Sequence, residues 1–313
     1  MPKLSNVKEK YVNGYQVDKE TEDVIYSDAK HLYLDKYDNK PYVSVTTLIH
    51  KYVNEFDSAF WSAYKACEAL VESEIFKVIK TTLLNTKRWN PTLLEKLNIN
   101  EEEFENKRAE ILQSYEVERN KSCERGTKIH AQFENMYYQS EEQDLKKFGL
   151  GGKFTCKKGY YQLDLEKGVY PEFMISYKSD DGILRVAGQI DLLIKDGNDI
   201  HIIDYKSNKK IDKESFYNRT TKSRTMMKFP MNNIMDCNFY HYTLQLSLYA
   251  YLLQKINPNF NIKTLTIIHI DHNNHTTEYE CDYLKSDVER MLKHYKRDVK
   301  IKSELDLDKS IVF

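Results

Sequence analysis

Cysteine is sparse in this chain and never paired in sequence. The five residues, Cys67, Cys123, Cys156, Cys237 and Cys281, are far apart and form no CxxC. That excludes a disulfide frame and points to reduced thiols in a reducing compartment: the cytoplasm, or a host's cytoplasm if the source is viral. No apolar run approaches the ~20 residues needed to span a bilayer, so no membrane role is expected. The opening MPKLSNVKEK lacks the apolar core of a signal peptide. An excess of either charge is also missing, with 47 Lys and Arg against 48 Asp and Glu. Attraction to nucleic acid therefore has to come from a local patch. There is no internal repeat and no low-complexity segment. Lysine far outnumbers arginine, and tyrosine and asparagine are plentiful, the bias of an AT-rich genome such as a bacteriophage or other virus carries. At 313 residues the chain is long enough to bury a real core as one large domain or two packed ones.

The most informative stretch runs from Val186 to Lys206, VAGQIDLLIKDGNDIHIIDYK. Two apolar, β-branched runs are separated by Lys195-Asp196-Gly197-Asn198-Asp199, the signature of a hairpin. Each predicted strand carries a carboxylate among apolar neighbours, Asp191 in one and Asp204 in the other. Lys206 lies two residues beyond Asp204, so both side chains project from one face. Burying an unpaired carboxylate costs about several kcal/mol, and two acids converging with a lysine point to a metal site.

Around this hairpin, residues 1–22 are polar, and Glu22 to Val45 reads as short strands with a turn at Asp38–Pro41. Ser44-Val45-Thr46 then predicts a strand ending on a helix N-cap, with Ser44 or Thr46 as the cap. Residues 56–80 are amphipathic. Asn100 with Glu103 predicts a capping box, opening one long helix or a pair that reaches Tyr138. Residues 139–160 read as a polar, glycine-bearing loop, after which the β pattern resumes at Val169. A helix over 239–256 should stop at Asn257-Pro258. Two further strands (265–271 and 277–283), a charged closing helix (286–299) and a tail complete the chain.

Gly188-x-x-Asp191 followed by Asp204-x-Lys206 resembles the catalytic signature of the PD-(D/E)xK nuclease superfamily. Three further pieces make the chain similar to the RecB-type exonuclease branch, phage or mitochondrial: Gly126-x-x-x-His130-x-x-x-Glu134, Glu172 on the preceding strand, and Gln245-x-x-x-Tyr249. It departs from that pattern at Ile190, where a proline is usual. The resemblance implies an α/β fold, a restriction-endonuclease-like core with a mixed central β-sheet flanked by helices. A mainly helical N-terminal region accompanies it. The expected division is an accessory region at 1–120, the nuclease core at 121–300 and a C-terminal tail at 301–313. The scattered cysteines argue against the iron–sulfur cluster that some relatives carry, which needs several cysteines gathered near the core.

The chemistry implied is phosphodiester hydrolysis with Mg²⁺ or Mn²⁺. Such hard ions want oxygen ligands, which Asp191 and Asp204 supply, and by resemblance the Tyr205 carbonyl adds another. His130 completes the shell from a helix, and imidazole suits Mn²⁺ better than Mg²⁺. Glu134 is expected to hold the helix or orient a ligand, and Glu172 to do the same or to reach the ion through water. Lys206 is expected to position the attacking water and stabilise charge on the phosphorane oxygens. Gln245 and Tyr249 share a helical face and in the family help seat the nucleotide. Ser44 and Thr46 sit in a segment that the resemblance places near DNA. From Lys206 to Lys228 eight basic residues face only two acidic ones, with Phe216 and Tyr217 among them. Lys209, Lys210, Arg219, Lys222 and Arg224 are the expected grip on DNA, single-stranded or with a free end. The expected activity is a metal-dependent DNA exonuclease of viral recombination, replication or end processing. A structure-selective endonuclease is the rival within the class, and an inactive nucleic-acid-binding module the rival outside it.

Overall fold

The computed structural model describes residues 10–12, 14–157, 162, 165–219 and 221–310. The chain divides into two compact units, one of residues 1–53, 129–214 and 226–313, the other of 54–128 and 215–225. The described residues up to Val53 fall in the same unit as residues 129–214.

The first unit begins with two short strands, β1 (Tyr11–Val12) and β2 (Tyr15–Gln16), then β3 (Lys19–Glu20), β4 (Val24–Ser27), β5 (Leu32–Asp35) and β6 (Pro41–Ser44). Helix α1 (Val45–His50) follows directly. Ser44 caps it, its Oγ accepting the Thr47 N–H at 3.0 Å, as the Ser-Val-Thr pattern predicts.

The second unit contains α2 (Ser58–Leu70), α3 (Ser73–Thr86), α4 (Thr92–Lys96), the opening of α5 (Glu101–Tyr138) and the small hairpin β12 (Tyr217–Asn218) with β13 (Ser223–Arg224). It has its own core, built on Phe60, Tyr64, Phe76, Leu83 and Phe104, with Trp89 stacked on Phe104 at 4.9 Å. The predicted cap of α5 is present, the Glu103 N–H bonding to Asn100 Oδ1 at 3.0 Å.

From Ile129 onward α5 belongs to the first unit. The stretch expected as a loop after it forms a hairpin, β7 (Glu142–Asp144) with β8 (Lys153–Thr155). Then come β9 (Gly168–Lys178), β10 (Arg185–Asp196), β11 (Asp199–Lys206), α6 (Asn238–Ile256), β14 (Asn261–Ile270), β15 (Thr276–Glu280) and α7 (Lys285–Ser310). Helix α6 ends before Asn257-Pro258, as expected. Residues 301–310, expected as a tail, continue α7. Its polar sequence hides the helix from an apolar-periodicity reading.

Nine strands make one mixed sheet in the order β15-β14-β11-β10-β6-β5-β4-β3, with β9 pairing β10. This is the α/β fold expected, a mixed central sheet flanked by helices. Strands β9, β10 and β11 are buried almost throughout, because apolar clusters cover both faces. One cluster joins them to α1, α6 and α7; the other joins them to the end of α5 and the β7–β8 hairpin. Sheets covered on both sides read as continuous apolar runs, which makes a carboxylate inside them conspicuous.

The pairing of β10 creates the space for the site. One edge pairs with β9 from Arg185 to Lys195. The other pairs parallel with β6 at Val186 and Ala187 and antiparallel with β11 from Leu192 to Asp196. Gly188 to Asp191 lie where those two partners part company.

Candidate active site

Asp191 sits at this parting point. Its Oδ2 accepts the N–H of Tyr205 at 2.7 Å, which ties β10 to β11 beside Asp204. Directly across β10, in register, is Glu172 of β9, between the pairs Ile190–Phe173 and Leu192–Pro171. Glu172 has a φ of 48°, a left-handed conformation that is uncommon for a non-glycine residue. Such outliers cost about 1–3 kcal/mol and persist where surroundings impose them.

His130 reaches the same place from α5. Its Nδ1 lies 3.5 Å from Glu172 Oε1 and 3.5 Å from Asp191 Oδ1. One ligand atom from each of His130, Glu172 and Asp191 falls within 4.8 Å of the other two, an arrangement able to hold a metal ion. The final turns of α5 are anchored against β11. Phe133 stacks on Tyr205 at 4.0 Å and 6°, and the Tyr137 and Tyr205 hydroxyls meet at 3.3 Å.

Asp204 and Lys206 form the second half. Asp204 is 1% exposed. Its Oδ1 accepts from Gln245 Nε2 at 3.0 Å, and its Oδ2 lies 2.6 Å from Lys206 Nζ. That ammonium also lies over the Tyr242 ring, 4.8 Å from its centre. Asp204 Oδ2 is buried against the Lys206 ammonium, and a carboxylate oxygen so placed keeps a lone pair to offer a second cation.

The electrostatics say that negative charge is in excess. Burial, then the neighbouring Asp204, pushes the Asp191 carboxyl up to about 7. Burial alone would lower His130, but the Asp191 charge and the Glu172 hydrogen bond raise it to about 9. Burial likewise opposes the Lys206 charge, and Asp204 with Asp191 overrides it, holding the ammonium well above its ordinary range. Glu172 is held low, since His130 and Lys19 outweigh its burial. A divalent ion would relieve the crowding of these carboxylates, and the oxygen-plus-imidazole donor set suits a hard or borderline ion.

Gly188 and Tyr249 explain each other. A Cβ on Gly188 would stand 2.8 Å from Tyr249 Cε1 and 3.2 Å from its hydroxyl. The glycine therefore lets α6 lay Tyr249 against β10, one helical turn from the Gln245 that holds Asp204.

A family model described as the PD-(D/E)XK nuclease superfamily matches residues 31–304. The chain belongs to that superfamily. Among solved structures, the crystal structure of SSO0001 aligns over 41% of this chain and 48% of its own, at 15% identity and a TM-score of 0.25. The alignment spans about half the length of that structure's chain. No curated protein matches.

PD-(D/E)XK nucleases are metal-dependent hydrolases of nucleic acid, and the remaining expected residues can be placed on that basis. His130, Glu172 and Asp191 converge, while Asp204, Lys206 and Gln245 form the adjoining group. Glu134 is half-buried on α5 and is not a member of the three-residue cluster. Ser44 is spent on capping, with Thr46 Oγ1 3.2 Å from its Oγ. Lys210 pairs with Asp212 at 2.8 Å. Arg219, Lys222 and Arg224 belong to the second unit, where Arg224 donates to the Ser215 carbonyl at 2.7 Å. No described helix is long and apolar enough to cross a membrane.

Sequence reasoning missed Lys19. Its Nζ lies 3.6 Å from Glu172 Oε2 and donates to Gln189 Oε1 at 2.8 Å, and Gln189 in turn donates to the Tyr33 hydroxyl at 3.4 Å. No local pattern marks a lysine in a two-residue strand, so nothing in the sequence could have found it.

Proposed function

We propose that the chain is a divalent-metal-dependent deoxyribonuclease of the RecB type. It acts as an exonuclease on DNA that is single-stranded or has a free end, in viral recombination, replication or end processing, within the cytoplasm that hosts it. The observation that carries this reading is the meeting of the helix-borne His130 with Glu172 and Asp191 at 3.5 Å. By resemblance, that histidine motif and the Gln245–Tyr249 helix accompany exonuclease activity.

His130, Glu172 and Asp191 would hold Mg²⁺ or Mn²⁺, with Asp204 and the Tyr205 carbonyl contributing beside them. Such an ion supplies Lewis acidity toward a phosphoryl oxygen and makes water acidic enough to attack at neutral pH. The chain's own residues do the rest. Lys206 stays charged throughout the working range, because two carboxylates hold its proton. It therefore serves as a fixed cation that orients water and stabilises the pentacoordinate phosphorus. Gln245 fixes the rotamer of Asp204, and the Tyr205 N–H fixes that of Asp191, so both acids are aimed before substrate arrives.

The test is digestion of end-labelled linear and circular DNA with Mn²⁺, beside an Asp204→Asn control. Mononucleotides released from linear DNA alone, and none from the variant, is the expected result. Cutting of the circle would make the enzyme an endonuclease, and equal activity in the variant would end the reading.

A further inference from the structure

The first unit has a second concavity, sharing no residue with the acidic cluster. It measures about 420 Å³ and lies where the residues just after α1, the loop before α6 and the middle of α7 meet, within the usual range for small-ligand sites. Its walls are fastened. The Lys228 N–H donates to the Tyr52 carbonyl at 2.7 Å, joining loop to α1. Arg290 Nε donates to the Pro230 carbonyl at 2.9 Å, joining loop to α7.

Three ammoniums line it, those of Lys51, Lys228 and Lys302, all on exposed residues. The lone carboxylate, Asp298, is engaged by His294 Nδ1 at 3.2 Å, and that nitrogen also lies 3.3 Å from the Tyr52 hydroxyl. Lys51 Nζ is steadied over the Tyr295 ring at 5.4 Å. Phe229 lines the same hollow and is 67% exposed, its ring edge-on to His294 at 5.3 Å and 77°. Core packing does not account for a phenylalanine that shows two-thirds of its surface to water in a cationic hollow. A flat apolar face beside several positive charges is the chemistry of single-strand recognition: bases stack on the ring and the backbone follows the cations.

We propose that this hollow is a second nucleic-acid subsite, taking one base of a single strand on Phe229 and its neighbouring phosphates on Lys51, Lys228 and Lys302. It rests on the nuclease reading for its substrate class only, not on the acidic cluster.

Fluorescence anisotropy of labelled (dT)20 in EDTA, which prevents cleavage, tests it. Phe229→Ala is expected to weaken binding on the order of tenfold, with Phe229→Trp restoring it, since stacking tolerates any flat ring. The triple variant Lys51→Ala, Lys228→Ala, Lys302→Ala should reduce the slope of log affinity against log salt by about 2, at ~0.7 for each single-strand phosphate left without its lysine. Melting temperatures check that the variants fold. Unchanged affinity and slope in properly folded variants overturn the subsite, as would no binding by the native chain. Loss of affinity in the variants leaves the nuclease reading intact, since that stands or falls on Mn²⁺-dependent cleavage by the native chain.

Discussion

Replacing Gly188 with alanine adds one methyl group where the structure has no room for it. Gly188 does not have a left-handed backbone, so alanine fits its conformation, and in a strand interior it should stabilise by ~0.5–1 kcal/mol. Space reverses the sign. The added carbon would meet Tyr249 Cε1 at 2.8 Å, against about 3.5–4.0 Å for a comfortable carbon contact. Tyr249 is 3% exposed within the main cluster and has nowhere to swing. Overpacking of this kind costs about 1–3 kcal/mol, or a fall in melting temperature of roughly 2–4 °C per kcal/mol. Activity should fall further, because the displaced segment carries Asp191 three residues on, and a 1 Å error in a reacting group can cost about 100-fold. Calorimetric melting, Mn²⁺ titration and cleavage of linear DNA read the three effects. Adding Tyr249→Leu should recover part of the lost stability, with a coupling of about 1 kcal/mol or more between the two changes. Wild-type melting and cleavage in Gly188→Ala would refute the packing argument.

Other expectations follow from the same geometry. Asp35 has a wholly buried carboxylate bound to Lys178 and Arg185 and to two backbone N–H groups. These partners outweigh its burial and hold it at about 2. Relative to an ordinary aspartate near 3.8, that contributes roughly 2.5 kcal/mol above pH 5, lost as pH falls from there toward 2; Asp35→Asn should flatten that part of the stability–pH curve. Because Asp191 sits at about 7 and His130 at about 9, an arriving cation must displace protons. Mn²⁺ affinity should therefore climb as pH rises from 6 to 9, with proton release visible by calorimetry in buffers of different ionisation heat; a flat profile would count against these ligands. Activity with Mn²⁺ at least equal to that with Mg²⁺ is expected from the imidazole, and strict dependence on Mg²⁺ would remove His130 from the shell. Lys19→Met removes a positive charge 3.6 Å from Glu172 and should tighten Mn²⁺ uptake while leaving melting within about 1 kcal/mol; unchanged or weaker uptake would count against Glu172 as a ligand.

The hairpin with Asp191, Asp204 and Lys206 was legible because its signals are local: β-branched runs, a Gly/Asn/Asp turn, and charges set where apolar residues belong. The Ser44 cap and the stop of α6 were legible for the same reason. Glu172 as the third member of the cluster was not fixed by pattern. Its approach to His130 depends on one left-handed residue inside a strand, which no alternation rule anticipates. Lys19 and the grouping of residues 1–53 with the core depend on pairing distant in sequence, above all β6 beside β10, and local propensity carries no information about it. The β7–β8 hairpin and the end of α7 are too polar to show the apolar rhythm by which strands and helices announce themselves.

The bent backbone at Glu172 ties this protein's robustness to its trade. Glycine there would sit at ease in the backbone, but it would strip Lys19 and His130 of the carboxylate that pairs with both. The strain is therefore held in place by the ion pairs it makes possible, and selection for heat tolerance alone has no simple route to discarding Glu172.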